Sequence, residues 1–317
     1  MNDLVTFGET MLRLSPPGNE RLETTPELEF RAAGAESNVA VAAERLGAVS
    51  TWLSKLPDNP LGRRVDNGLR GYGIDTDIVW SEEGRQGTYY LEQAGSPRGT
   101  NVIYDREDAA VTTASAEEFD LSTVRDARAF FTSGITPALS DSLRDATANL
   151  LQVAKKANTT TAFDVNYRSK LWSPSKARAT VTKLFQLVDV LVIPFRDAET
   201  VLDYEGSAPE LAHHLASKYD FETVVVTQGE HGSLAWHDNV VHEQDVYEAD
   251  TVDAIGTGDA FIGAFLGRRL SGDDVARSLE YASATAALKR TIPGDVATVT
   301  KKEVESVIGD DLNRISR

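Results

Sequence analysis

Residues 251–272 read TVDAIGTGDAFIGAFLGRRLSG. Two acidic residues, Asp253 and Asp259, bracket a glycine-rich turn that runs straight into an apolar helical stretch. Gly256 and Gly258 leave room for backbone N–H groups to converge on an anion, and the helix that follows adds its positive N-terminal end. The almost wholly apolar sequence of that helix places it in the core. Gly263 and Gly267 permit close approach of a neighbour, so the turn is rigidly anchored. Asp259 falls where the helix begins. As a cap it would contribute about 1 kcal/mol. As a carboxylate beside a nest of amides it could take a proton from an attacking hydroxyl while the amides hold a transferring phosphoryl group. These residues alone leave both readings open. The turn is neither a Walker loop, lacking Gly-Lys-Ser/Thr, nor a dinucleotide fingerprint, because no GxGxxG follows the first strand.

The 317-residue chain carries a formal net charge of −17 with 41% hydrophobic residues. No apolar run reaches the roughly 18 residues a membrane span needs, and "MNDLVTFGET" lacks a basic patch ahead of an apolar core, so a cytoplasmic location is expected. Zero cysteines exclude disulfides, thiolate metal sites and a cysteine nucleophile. Ten lysines stand against twenty-two arginines, and the acidic residues are scattered rather than gathered in a tail. Such a surface repels itself at low ionic strength, whereas at molar salt the Debye length shrinks to about 3 Å. This profile points to a high-salt cytoplasm such as that of a halophilic archaeon. Nucleic acid is not expected as a partner, because a phosphate backbone needs a basic face.

Short apolar runs alternate with helical patterns along most of the chain. "LVTFGE", "TWLSKL", "ARAFFTSG", "TTTAFDVN", "DVLVIP" and "ETVVVTQG" read as strands. "ESNVAVAAERLG", "LGRRVDNGLRGYG", "SDSLRDATANLLQVAKKAN" and "SPSKARATVTKLFQLV" read as helices. This order predicts an α/β protein with a mostly parallel central sheet flanked by helices. Residues 10–31 and 85–106 show period-two patterning with Gly and Pro turns instead, which predicts hairpins forming a small second sheet over a cleft. Ligands of a parallel sheet bind beyond its carboxyl strand ends. Four Gly-rich or polar turns fall there: 132–135, 164–168, 227–232 and 256–259.

"DAIGTGD" resembles the C-terminal signature of the ribokinase-like (PfkB) carbohydrate kinases, D-x-x-G-A-G-D, with Thr257 in place of alanine. "AAGAESNVAVAAERLG" (32–47) resembles the family's Asn-containing sugar-binding signature, and "VTQGEHGS" its nucleotide segment. The resemblance spans essentially the whole chain. It implies a ribokinase-like fold over residues 1–317, with excursions at about 10–31 and 85–106 forming a β-sheet lid. It further implies ATP and Mg2+ as cofactors and Asp259 as the catalytic base. The amides of Ala254, Gly256, Thr257, Gly258 and Asp259 would form the anion hole, with Asn166, Arg168, Thr227, Gly229 and Gly232 along the nucleotide. The family's magnesium-linked Asn-x-x-Glu is altered: Pro194 replaces the asparagine, leaving Asp197 or Glu199 as the acidic member. A homo-oligomer is expected by the same resemblance.

Two arginines, Arg106 and Arg168, sit in candidate cleft segments. Facing a carboxylate they could make bidentate, charge-assisted bonds, whereas a neutral sugar would leave them poorly paired. The alternative is a bridge to Asp105 or Glu107 for one and an ATP contact for the other. Gly34, Ala35, Asn38, Tyr89, Tyr104, Arg106, Ile135, Arg168, Asp259 and Asp295 together are similar to the sugar site of 2-keto-3-deoxygluconate kinases. That similarity implies ATP-dependent phosphorylation of the 6-hydroxyl of 2-keto-3-deoxygluconate or its galactonate epimer. A fructokinase-like sugar kinase is the alternative within the family, and a non-catalytic sugar sensor the alternative outside it. The five histidines show no metal-ligand spacing, and Phe261 and Phe265 read as core packing.

Overall fold

In a computed structural model describing residues 2–94 and 97–309, the strands run in chain order β1 (Leu4–Phe7), β2 (Met11–Ser15), β3 (Glu29–Ala33), β4 (Ser50–Pro57), β5 (Asp75–Ser81), β6 (Thr88–Glu92), β7 (Asn101–Asp105), β8 (Ala129–Ser133), β9 (Thr160–Asp164), β10 (Val190–Pro194), β11 (Thr223–Thr227), β12 (Ser233–His237) and β13 (Val240–Gln244). The helices are α1 (Ala35–Arg45), α2 (Pro60–Arg70), α3 (Leu121–Arg125), α4 (Thr136–Leu139), α5 (Asp141–Lys156), α6 (Pro174–Leu184), α7 (Phe195–Asp197), α8 (Ala208–Tyr219), α9 (Thr257–Leu270), α10 (Val275–Arg290) and α11 (Lys301–Ile308). Their starts follow from local chemistry. The side chains of Asn59, Ser140 and Ser173 accept first-turn amides of α2, α5 and α6, and Ser207 with Glu210 forms a capping box on α8.

The main sheet has the order β13-β12-β11-β10-β9-β8-β1-β4-β5, parallel from β5 across to β11. Its inner strands are apolar on both faces. Phe130, Phe163, Leu191 and Val224 pack toward α5, α6 and α8, while Phe131, Ala162, Val192 and Val225 pack toward α1, α9, α10 and α11. The edge differs from an all-parallel sheet, because β12 and β13 pair antiparallel. Asp238 and Asn239 turn between them at φ 48° and 63°, a tight hairpin connection.

The two expected hairpins appear as antiparallel pairs, β2 with β3 and β6 with β7. They join through a parallel β2–β6 contact into a second, four-stranded sheet. Strand order reverses between β1 and β8: the chain proceeds to β4 and β5 on one side and to β9 and onward on the other. A crevice at the carboxyl ends of the strands is expected at such a reversal.

Helix α9 lies close against α1 at its glycines. A Cβ on Gly263 would sit 2.4 Å from the Val39 carbonyl oxygen, and one on Gly267 would sit 3.1 Å from the Ala43 Cα. The contacts advance together along both helices, so the two run in the same direction and their N-terminal ends converge. Phe261 and Phe265 are buried in the core on this face, as the helical spacing predicts.

Candidate active site

At the strand-order reversal lies a cavity of about 500 Å³ lined by Gly34, Ala35, Asn38, Tyr89, Tyr104, Arg106, Ile135, Arg168, Asp259 and Asp295. All ten residues proposed from sequence for the sugar therefore line one cavity. They arrive from eight places in the chain: the start of α1, strands β6 and β7, the turns after β7, β8 and β9, the first turn of α9 with Asp259, and the loop bearing Asp295. A larger groove of about 960 Å³ between β3 and α2 contains no residue from the strand ends.

Asp259 does not cap its helix. Gly256 occupies the cap position at φ 80° without a side-chain bond, and Asp259 instead accepts a 2.7 Å bond from the Asn38 amide. Burial pushes its carboxyl up to about 6, while the Asn38 bond and the Arg168 charge pull the other way. Among the described residues, the amides of Gly256, Gly258 and Asp259 find no acceptor. Unmet donors at the start of α9, beside the N-terminal end of α1, make a local positive field suited to an anion. Gly256 is obligatory for a second reason: a Cβ there would fall 1.9 Å from the Asp295 carbonyl oxygen.

The turn is braced from behind. Asp253 Oδ1 accepts from the Ile255 amide at 3.0 Å. Its Oδ2 accepts from the Gly294 amide and from Arg13, each at 3.0 Å. Arg13, on β2 of the small sheet, is 3% exposed and also bonds Asp295 at 3.2 and 3.3 Å. Tyr89 donates its hydroxyl to Asp295 as well, at 3.0 Å to Oδ2. Asp295, expected to hold a sugar hydroxyl, thus lines the cavity with both oxygens already engaged. Arg13 escaped the sequence reading; the signal was an arginine alternating with Leu12 and Leu14 in a strand whose two faces are both covered.

The two arginines differ. Arg168 lies exposed at the cavity wall and pairs with no carboxylate among the described residues; its guanidinium donates to the Tyr167 carbonyl at 3.3 Å. Arg106 pairs with Glu9, not with Asp105 or Glu107; Asp105 is taken by Arg85 at 2.6 Å. Its guanidinium also lies over the Tyr104 ring, 5.4 Å from the centroid. Lys170, which the sequence reading passed over, lines the same cavity with its Nζ 5.7 Å from the Tyr104 ring centroid. Arg168 and Lys170, without carboxylate partners among the described residues, stand beside the Arg106–Glu9 pair and suit an acidic ligand. Glu36 was also missed: it is buried in the first turn of α1 and accepts from the Ser133 amide and hydroxyl and the Thr136 hydroxyl. It ties the start of α1 to the turn carrying Ile135.

Of the residues expected along a nucleotide, Arg168 lines this cavity, while Asn166, Thr227, Gly229 and Gly232 lie at neighbouring strand ends. Asn166 follows β9, Thr227 ends β11, and Gly229 and Gly232 flank a short turn after it. Of the two acidic residues after β10, Asp197 is 5% exposed and accepts from the Tyr167 amide at 2.9 Å, while Glu199 is exposed. Asp164 is buried at the end of β9, and burial, with repulsion from Asp197 and Asp259, holds its carboxyl well above the ordinary carboxylate range.

A family description, pfkB family carbohydrate kinase, matches residues 1–302. The chain belongs to this family. Among its pfkB relatives, a 2-dehydro-3-deoxygalactonokinase of Haloferax volcanii is 62% identical over 96% of each chain. A 2-dehydro-3-deoxygluconokinase of Thermoproteus tenax is 30% identical, covering 97% of this chain and 94% of its own. The crystal structure of 2-dehydro-3-deoxygluconokinase from Thermotoga maritima superposes with a TM-score of 0.92 at 35% identity, covering 96% of this chain and 98% of that one. A putative ribokinase II from E. coli, crystallised with ATP and Mg2+, shares the fold at 22% identity and a TM-score of 0.88. The ribokinase-like architecture and carbohydrate-kinase class expected from "DAIGTGD" therefore hold for this pfkB chain. Among the described residues, no helix is long and apolar enough to cross a membrane.

Proposed function

We propose that this kinase transfers the γ-phosphoryl group of ATP to the 6-hydroxyl of a 2-keto-3-deoxy sugar acid. The galactonate form joins the gluconate form as substrate, on the strength of the 62% identical Haloferax relative. The observation that carries the acid is that Arg106, Arg168 and Lys170 line the same cavity as the Asp259 carboxylate. A carboxylate at that wall is matched by guanidinium geometry, which favours planar, bidentate recognition. The opposite end of the sugar then reaches Asp259, whose raised pKa of about 6 leaves it ionised yet basic at neutral pH, as a proton acceptor requires.

ATP fits the donors present: the unmet amides of Gly256, Gly258 and Asp259 can hold the transferring phosphoryl group while negative charge spreads over its oxygens. Asp259 takes the hydroxyl proton as the oxygen attacks phosphorus and ADP departs. Magnesium would arrive with the nucleotide and neutralise phosphate charge. Asp197 and Asp164, rather than exposed Glu199, would face its hydration shell, consistent with the preference of this ion for retained water.

The test is ATP-dependent phosphorylation of both keto-acid epimers and of fructose by wild type and Arg106→Ala, with the phosphorylated carbon located by NMR. We expect kcat/KM at least tenfold higher for the keto acids than for fructose. Losing a charge-assisted pair of about 1.5–3 kcal/mol should lower keto-acid kcat/KM by about 10–100-fold in the variant, with fructose within threefold of wild type. A preference for fructose, or an equal loss on both substrates, would instead make this a fructokinase-like enzyme.

A further inference from the structure

Lys289 is fully buried near the end of α10, with no solvent at its side chain. A lysine in such a place is rare unless paired, because an unpaired ammonium loses its hydration. Its Nζ donates to the carbonyl of Asp253 at 3.0 Å and to that of Ile292 at 3.2 Å. These two carbonyls begin the two loops that matter most to the site. Asp253 opens the amide turn, and Ile292 opens the loop that carries Gly294 and Asp295 beneath Gly256. Among the described residues no carboxylate makes an ion pair with Lys289 and its hydrogen bonds go to backbone carbonyls; burial draws its pKa below that of an ordinary lysine against the opposing fields of Asp253 and Asp295.

The charge balance explains why a cation is placed there. Behind the turn lie two buried carboxylates, Asp253 and Asp295, and one buried guanidinium, Arg13. Without Lys289 this layer would carry a net negative charge directly under amides that must attract a phosphoryl group. With it the layer is neutral, and the field of the helix ends is left to act on the ligand. Resting on the kinase reading above, we propose that Lys289 is a positioning residue for phosphoryl transfer, its ammonium fixing the two loops through the Asp253 and Ile292 carbonyls and cancelling the buried negative charge beneath the anion-binding turn.

The test compares wild type, Lys289→Met and Lys289→Arg in tetramethylammonium chloride and in ammonium chloride at equal ionic strength, with melting temperatures measured alongside. Methionine keeps nearly the length of the stem and leaves an ammonium-sized space at its tip. Wild type should turn over equally in the two salts, within about twofold. Lys289→Met should lose at least tenfold in kcat in tetramethylammonium, with KM for the keto acid within threefold, and regain at least fivefold in ammonium. Equal loss in both salts, a change in KM alone, or full activity would overturn the proposal. Should Lys289→Met fail to fold, Lys289→Arg decides. It keeps the cation and displaces the donors, so kcat should fall at least fivefold with KM unchanged and no response to ammonium. A wild-type kcat in Lys289→Arg, with only the melting temperature altered, would make Lys289 purely structural. A wild-type protein inert toward every sugar would defeat the reading of the site instead; normal wild-type turnover beside an indifferent Lys289→Met defeats only the positioning role.

Discussion

Replacing Asp259 by asparagine should make the protein more stable and nearly inactive at once. The carboxyl is raised from 3.8 to about 6 in the folded protein. The fold therefore binds that proton more tightly than the unfolded chain does, and ionising the group destabilises the fold. The penalty is absent below about pH 4, grows through the interval up to pH 6, and is complete at neutral pH. A shift of roughly two units at about 1.36 kcal/mol each sets an upper bound near 3 kcal/mol. Asp259 is only half-buried, so solvent screening brings the expected value to about 1–2 kcal/mol. Asparagine keeps an oxygen for the Asn38 amide and carries no charge. For a chain of this length, with an unfolding entropy of roughly 2 cal/mol/K per residue, that gain raises the melting temperature by about 1.5–3 °C. The assay is thermal unfolding of both proteins at pH 4, 6 and 8, without ligands, together with turnover at pH 8. The variant's advantage should appear at pH 8, shrink at pH 6 and vanish at pH 4, while kcat falls by about 10²–10⁴. A variant of normal turnover, or one equally destabilised at all three pH values, would refute the assignment of the base and the burial argument behind it.

Two further outcomes follow from the same geometry. Gly256→Ala would force a methyl into the Asp295 carbonyl and a side chain into left-handed backbone, so kcat should fall at least 100-fold in steady-state assays, with Gly258→Ala, whose added methyl meets nothing within 4 Å, far milder. The net charge of −17 opposes long-range approach of two anionic substrates, so kcat/KM should rise with potassium chloride toward molar concentrations, measured from 0.1 to 3 M; fastest turnover in salt-free buffer would reject a high-salt origin for this surface.

The parallel sheet was legible because its strands are apolar on both faces, and both excursions because their periodicity is two. The β12–β13 hairpin was harder. Its alternation is interrupted only by Asp238 and Asn239, and outer strands carry polar residues that read as loop. In the site, the cavity wall was readable wherever a glycine, aromatic or arginine stood in a turn. Glu9, Arg13, Glu36 and Lys289 were not, because each is a buried charge whose sequence neighbours do not show what it meets. Their partners lie far along the chain: Glu9 meets Arg106, and Glu36 meets Ser133 and Thr136. Periodicity reports which face is buried, not which distant charge answers a buried one. The same limit applies to Asp259, whose sequence position suggested a cap and whose actual partner, Asn38, sits on a different helix.

The pairing of Arg13 with Asp253 and Asp295 has a consequence for how the chain is made. These contacts span 240 and 282 residues. During synthesis, β2 leaves the ribosome long before either carboxylate exists. Until then the strand carries a guanidinium aimed toward a place that is still empty, and its sheet has nothing to dock on. The second sheet can reach its final position only when the last helices have been delivered. Nascent chains stalled before residue 253 should therefore hold a region open to proteases, while the central strands are already protected.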